Sequence, residues 1–264
     1  MMIIEKIIEG KSRKRIHLIE KDNNKIIMDM VNSTKDYGNL SYKYENREIV
    51  KEKRKIFLED LKLYFSREIE TPIILKPQHS NEIVIVGEED SGKGWTDYEN
   101  AIPADGLVVI SPLKKILPLG VLAADCAVLL VHLEGTRIYG IFHISRKNVD
   151  LLSDILLLFK GFYYAVYYKE EKNFRLSITV SPYGVYDLEE GVHIDMKEMI
   201  TKKLEEAEDK YFSNFSNDQI VIYFSEYLTT SSPGSDFFYS HHLSSISKIS
   251  REERFLSLGF LRVA

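Results

Sequence analysis

Three side chains able to hold a metal or move a proton stand at breaks between apolar runs: His79, Cys126 and His143. His79 follows Pro77-Gln78, between Ile73-Ile74-Leu75 and Ile83-Val84-Ile85-Val86. Cys126 follows Asp125 at the mouth of the run Ala127–Leu133, and His143 ends the run that begins at Arg137. Glu134-Gly135 between those runs reads as a hairpin turn, with Cys126 and His143 each eight or nine residues from it. That spacing brings both to the open end of one ladder as near neighbours. A thiolate and an imidazole there, joined by a second imidazole from a loop, make three soft-to-borderline ligands. Such a set suits zinc with a fourth position open to water, whose lowered pKa makes it a nucleophile near neutral pH. Taken singly, a cysteine opening an apolar strand is ordinarily a core residue, and the trio matches neither CxxC nor HExxH.

The elements that must position these residues are short and mixed. Ile3–Ile8, Ile16–Glu20 and Ile26–Met30, separated by Gly10 and by Asp22-Asn23-Asn24, predict an antiparallel meander. Val50, the Lys53 stem, Phe57 and Leu61 recur at helical spacing within 47–65. Strands are expected at 107–110, 121–122, 127–133, 137–143, 174–180 and 220–224, with an apolar closing strand Phe255–Val263. Helices are expected from Asn148 to Tyr168 and after Asp195, an N-cap. The polar stretch Glu88–Asn100, carrying Trp95, reads as a surface loop, and Thr229–Ser250 as a serine-rich loop of marginal order. With no repeat, no linker and no regular βαβ alternation, residues 1–264 read as a single α+β domain. Its mixed, largely antiparallel sheet layers are covered by helices.

Composition narrows the function classes. A chain of 264 residues that is 44% hydrophobic can bury a substantial core. Its charge of −5 argues against a nucleic-acid partner, and Lys11, Arg13, Lys14 and Arg15 read as a solvated strand edge. The most apolar stretch, Leu151–Tyr167, is interrupted by Asp154 and Lys160, which predicts a buried helix and no membrane span. A start with charges inside its apolar run is no secretory signal, and one cysteine forms no internal disulfide, so a cytoplasmic setting is expected.

Several of these residues fall into a recognisable pattern. Pro77-Gln78-His79, Ala104-Asp105-Gly106-Leu107-Val108, Ala123-Ala124-Asp125-Cys126 and His143 resemble, in order, four motifs of the bacterial laccase-domain family. Those proteins were long called multicopper polyphenol oxidases and later understood as purine nucleoside phosphorylases. The resemblance is closest over 71–147; Ser181-Pro182, Phe237-Phe238-Tyr239-Ser240, Arg254 and Arg54 extend it outward. The family's metal ligands fall on His79, Cys126 and His143. Its Gly-Trp-Arg-Gly after the last ligand is replaced by Ser145-Arg146-Lys147-Asn148, and His241-His242 stands where it has paired arginines.

The resemblance implies zinc-dependent phosphorolysis of adenosine, inosine or methylthioadenosine, releasing base and sugar 1-phosphate, with adenosine deamination as a companion reaction. It implies a substrate pocket with Lys147, Arg54, Ser181 and Phe238, the two cations meeting phosphate and Phe238 or Tyr183 stacking on the base. The altered motif leaves open a non-catalytic, zinc-binding paralogue that serves as a binding module. A copper oxidase fits poorly: several coppers need clustered imidazoles, and among seven histidines His17, His132 and His193 sit in unrelated segments.

Overall fold

The structure is a computed structural model, describing residues 2–22, 26–43, 45–110, 115–167, 173–188, 191–212, 220–247 and 253–263. The expected turn residues Asn23 and Asn24, the helix end at Tyr168 and the stretch 248–250 lie outside the described residues. In chain order the elements are β1 Met2–Glu9, β2 Arg15–Asp22, β3 Ile26–Ser33, α1 Arg47–Phe65, β4 Ile73–Lys76 and β5 Ile83–Ile85. Then follow β6 Ile102–Pro103, β7 Gly106–Val109, β8 Leu119–Ala123, β9 Ala127–Leu133, β10 Tyr139–Ile144 and α2 Leu151–Tyr167. The chain continues through β11 Leu176–Val180, β12 Val185–Asp187, β13 His193–Asp195, α3 Met196–Tyr211 and β14 Ile220–Phe224. It closes with the short helices α4 Gly234–Phe237 and α5 His241–Ile246, then β15 Phe255–Val263.

The strands form two large sheets, ordered β1-β2-β3-β15-β8-β4-β6 and β14-β11-β9-β10-β7-β5, with β12-β13 as a separate ribbon. Most pairings are antiparallel; β4 with β8 and β6, β5 with β7, and β11 with β14 are parallel. The class is therefore α+β, and the layers stack as helix, sheet, sheet, helix. One apolar cluster joins Ile16, Leu18 and Leu258 of the first sheet to Phe57 and Leu61 of α1. A second lies between the sheets, joining Met28 and Met30 to Leu130 and Ile141. A third joins Leu129 and Val131 to Ile155 and Phe159 of α2 and Ile200 of α3. Strand β9 sends alternate side chains into the second and third clusters, so both of its faces are dry and every residue but His132 is apolar.

Local chemistry sets the helix ends. The Asn46 side chain accepts from the Glu48 and Ile49 amides to cap α1, and Asp195 caps α3 through Lys197 and Glu198. The buried stripe of α1 is Val50, Arg54, Phe57, Leu58 and Leu61, with Arg54 inside it and Lys53 at the margin paired to Glu45 at 3.1 Å. Residues 88–100 are a surface loop as expected, with 3-10 turns at 88–90 and 98–100; within it Trp95 is buried at 6% exposure, its carbonyl accepting from the Arg54 guanidinium. One loop expectation is corrected. The 229–250 segment carries α4 and α5, held from below when Thr229 donates to Asp125 at 2.6 Å. Among the described residues no helix is long and apolar enough to cross a membrane.

Candidate metal centre and cavity

The β9-β10 hairpin forms, but its register is corrected: the chain turns over residues 134–137 and not over Glu134-Gly135 alone, which shifts the pairing by two residues. His143 pairs with Val128 and Ile144 with Ala127, so Cys126 stands one step beyond the end of the ladder. There Cys126 borders the same cavity as His143 and lies close enough to raise the pKa of its imidazole. His79 arrives from the loop after β4, with its ring centroid 5.1 Å from that of His143. Its backbone φ of 55° is left-handed, a conformation costing a non-glycine residue about 1–2 kcal/mol, and external bonds must offset that.

Those bonds come from Asp105, which precedes β7. Its carboxylate accepts from the backbone amides of Gln78 at 3.3 Å, His79 at 3.1 Å and Ser80 at 2.6 Å. It also accepts from the Ser80 hydroxyl and from His143 Nδ1, each at 3.0 Å. His79 Nδ1 in turn meets Ser145 Oγ at 3.1 Å. Donor atoms of His79, Asp105 and His143 lie within 4.8 Å of one another, a possible metal cluster; it takes in Asp105 where the sequence expectation had Cys126, which borders the same cavity.

The electrostatics follow from burial and these bonds. Burial works to neutralise His143, but its hydrogen bond to Asp105 and the nearby Cys126 outweigh it and push its pKa up to about 9. Burial likewise raises the Asp105 carboxyl, and the bonds from His143 and Ser80 bring it below the usual carboxylate range. Desolvation, then the neighbouring His143, pushes His79 down.

The centre opens into a cavity of about 480 Å³, within the ~300–1,000 Å³ range of small-molecule sites. His79, Cys126 and His143 line it together with Arg146, Lys147, Arg254 and Tyr186. The Tyr186 ring is backed by His242, stacked at 4.6 Å and 22°, and Asp125 holds the His242 amide at 2.8 Å.

Of the residues expected in the substrate pocket, only Lys147 lines this cavity; the other three are corrected. Arg54 is fully buried, donating to the Leu40 carbonyl at 3.0 Å and to those of Gly94 and Trp95 at 2.8 and 2.7 Å. It is a structural pin beneath Tyr42 and Trp95, desolvated enough to lower its pKa to about 10. Ser181 is buried, its hydroxyl accepting from the Val128 amide at 3.0 Å and tying β9 to the chain after β11. Phe238 is sealed between the sheets, 5.2 Å from Phe255 and 5.4 Å from His17. Tyr183, the other aromatic expected on the base, is buried in the cluster beneath α2 and α3. Sequence reasoning gave no role to Asp105, Asp125, Arg146 or Tyr186. The two aspartates stood within recognised Ala-Asp motifs, whereas nothing local to Tyr186 signals its position.

In sequence, no family model and no curated protein matches the chain. In structure it is similar to YlmD from Geobacillus stearothermophilus, with a TM-score of 0.66 and 17% identity over 90% of this chain and 92% of that one. It is equally similar to the Bacillus licheniformis hypothetical protein YfiH, with a TM-score of 0.66 and 18% identity over 94% and 96% of the two chains. The Neisseria meningitidis protein NMB0706, described as DUF152, follows with a TM-score of 0.59 and 14% identity over 92% and 98%. The chain has the YfiH-type fold. Within that fold the three residues picked out from sequence meet at one cavity wall, although their segments lie as far apart as 79 and 143.

Proposed function

We propose that this chain is a zinc-dependent purine nucleoside phosphorylase acting on adenosine, inosine or methylthioadenosine, with adenosine deamination as a companion reaction. The observation carrying this reading is that His79, Cys126 and His143 border one cavity alongside the cations Arg146, Lys147 and Arg254. Two imidazoles and a thiol are a donor set that zinc accepts, and with three protein ligands one position stays open, which is the catalytic pattern. When bound, zinc would act as a Lewis acid and lower the pKa of water.

The chain's own residues supply the rest. The Asp105 carboxylate accepts a hydrogen bond from His143 Nδ1–H, which leaves Nε2 free. Arg146 and Lys147 bring positive charge for phosphate, and Arg146 contributes the planar fork that Lys147 lacks. Tyr186, held from behind by His242, offers an aromatic face to the purine. The histidine content does not favour copper: His132 is buried beside Thr136, His17 lies between the sheets, and His193 pairs with Asp187 on the surface.

The test is direct. Bound metal is measured, then adenosine and inosine are each incubated with and without phosphate, and base and inosine are followed by chromatography. Phosphate-dependent base release that disappears in Cys126→Ala supports the reading. Full activity in that variant defeats it, and zinc uptake without turnover of any nucleoside favours a non-catalytic binding module.

A further inference from the structure

We infer that Asp105 is a positioning residue for the metal centre, one carboxylate that aims both histidine ligands and does not itself bind the ion. The inference rests on the metal-binding half of the proposed function. By distance alone Asp105 would be a third ligand beside His79 and His143. Its hydrogen bonds argue otherwise. A carboxylate has about four lone-pair sites. Oδ1 already accepts from the His79 amide and His143 Nδ1, and Oδ2 from the Gln78 and Ser80 amides and the Ser80 hydroxyl. Coordination would strip donors from a fully buried group and release the left-handed backbone at His79.

The same bonds determine which nitrogens are free to ligate. With Nδ1 of His143 held by Asp105 and Nδ1 of His79 beside Ser145 Oγ, each ring is left its Nε2 for a metal. Asp105 also grips β10 through its backbone, since its carbonyl accepts from the His143 amide at 2.9 Å. One residue thus sets the loop that carries His79 and both the backbone and the ring of His143. A ligating histidine whose rear nitrogen donates to a carboxylate is a recurrent arrangement, and losing the carboxylate typically weakens metal binding 10–100-fold.

Three measurements on the full chain test this. Zinc affinity of wild type, Asp105→Asn and Cys126→Ala is read by competition with a chromophoric chelator. The visible spectra of their cobalt(II) forms report the donor set. Nitrogen–proton correlation spectra of the zinc-loaded wild type show which His143 nitrogen keeps its proton. The expected results are a 10–100-fold affinity loss in Asp105→Asn with cobalt bands like those of wild type, and a His143 proton on Nδ1. Loss of the thiolate charge-transfer band is expected only in Cys126→Ala. Unchanged affinity in Asp105→Asn, an altered cobalt donor set in it, or a proton on His143 Nε2 each overturns the inference and leaves the proposed function standing. If Asp105→Asn fails to fold, the wild-type proton position decides. A wild type that takes up no zinc overturns both.

Discussion

Tyr186 and His242 stack with their ring centroids 4.6 Å apart, although they come from a strand of the small ribbon and a short helix more than fifty residues later. Asp125, the neighbour of Cys126, sets this pair by accepting the His242 amide and the Thr229 hydroxyl. Cys126 and the aromatic wall of the cavity therefore share one anchor. Tyr186→Leu is expected to raise the nucleoside KM roughly tenfold, because a base–aromatic stack contributes ~1–3 kcal/mol. Tyr186→Phe should stay near wild type. Steady-state kinetics with phosphate saturating would reveal it, and an unchanged KM in Tyr186→Leu would remove this ring from the base site.

Arg146 and Lys147 follow the last ligand strand and face the cavity. Replacing either with alanine should raise the phosphate KM about tenfold, in keeping with the loss of one charge-assisted hydrogen bond. The nucleoside KM should move little. Varying phosphate at fixed nucleoside separates the two, and a purely nucleoside effect would count against the assignment.

Arg54 behaves differently. Its three carbonyl partners are buried, so Arg54→Met leaves acceptors without donors and should cost roughly 3 kcal/mol or more in urea unfolding. The phosphate KM of the folded protein should be preserved. A raised phosphate KM with undiminished stability would return Arg54 to the substrate site.

His132 supplies a pH dependence remote from the cavity. Burial lowers its pKa from 6.5 to about 4; its Nε2 donates to the Thr136 carbonyl at 2.9 Å, and among the described residues Nδ1 meets no hydrogen-bond partner. A histidine depressed in the folded state binds fewer protons than in the unfolded chain. Its contribution to stability is therefore whole above about pH 6.5 and is lost as pH falls toward 4. Between pH 7 and pH 5 the loss should be about 2 kcal/mol. Urea midpoints at the two values should differ more in wild type than in His132→Leu; equal differences would show that other groups carry the acid sensitivity.

The sequence by itself determined the elements with a strong period and the ends of the hairpin. The apolar runs bounded by turn residues, the helical stripe of α1 and the turn after Leu133 are local signals, and the turn brings Cys126 and His143 to the same end of the ladder, two residues out of the register a two-residue loop would give. Arg54 shows the limit of that reading. A cation on an amphipathic helix reads as solvated, and only the carbonyls of Leu40, Gly94 and Trp95, brought from distant loops, make its burial affordable. Phe238 and Ser181 were likewise matched by motif yet are held by inter-sheet packing and a strand amide. The family resemblance grouped His79 with the other two residues, but only the tertiary structure shows what holds it beside His143, the hydrogen bonds Asp105 accepts across the loop and β10. The tertiary structure alone decided that Tyr186 faces the same space. Local periodicity encodes which face of an element is apolar; it carries no record of which distant donor will satisfy a buried acceptor, and at this site that pairing determines the chemistry.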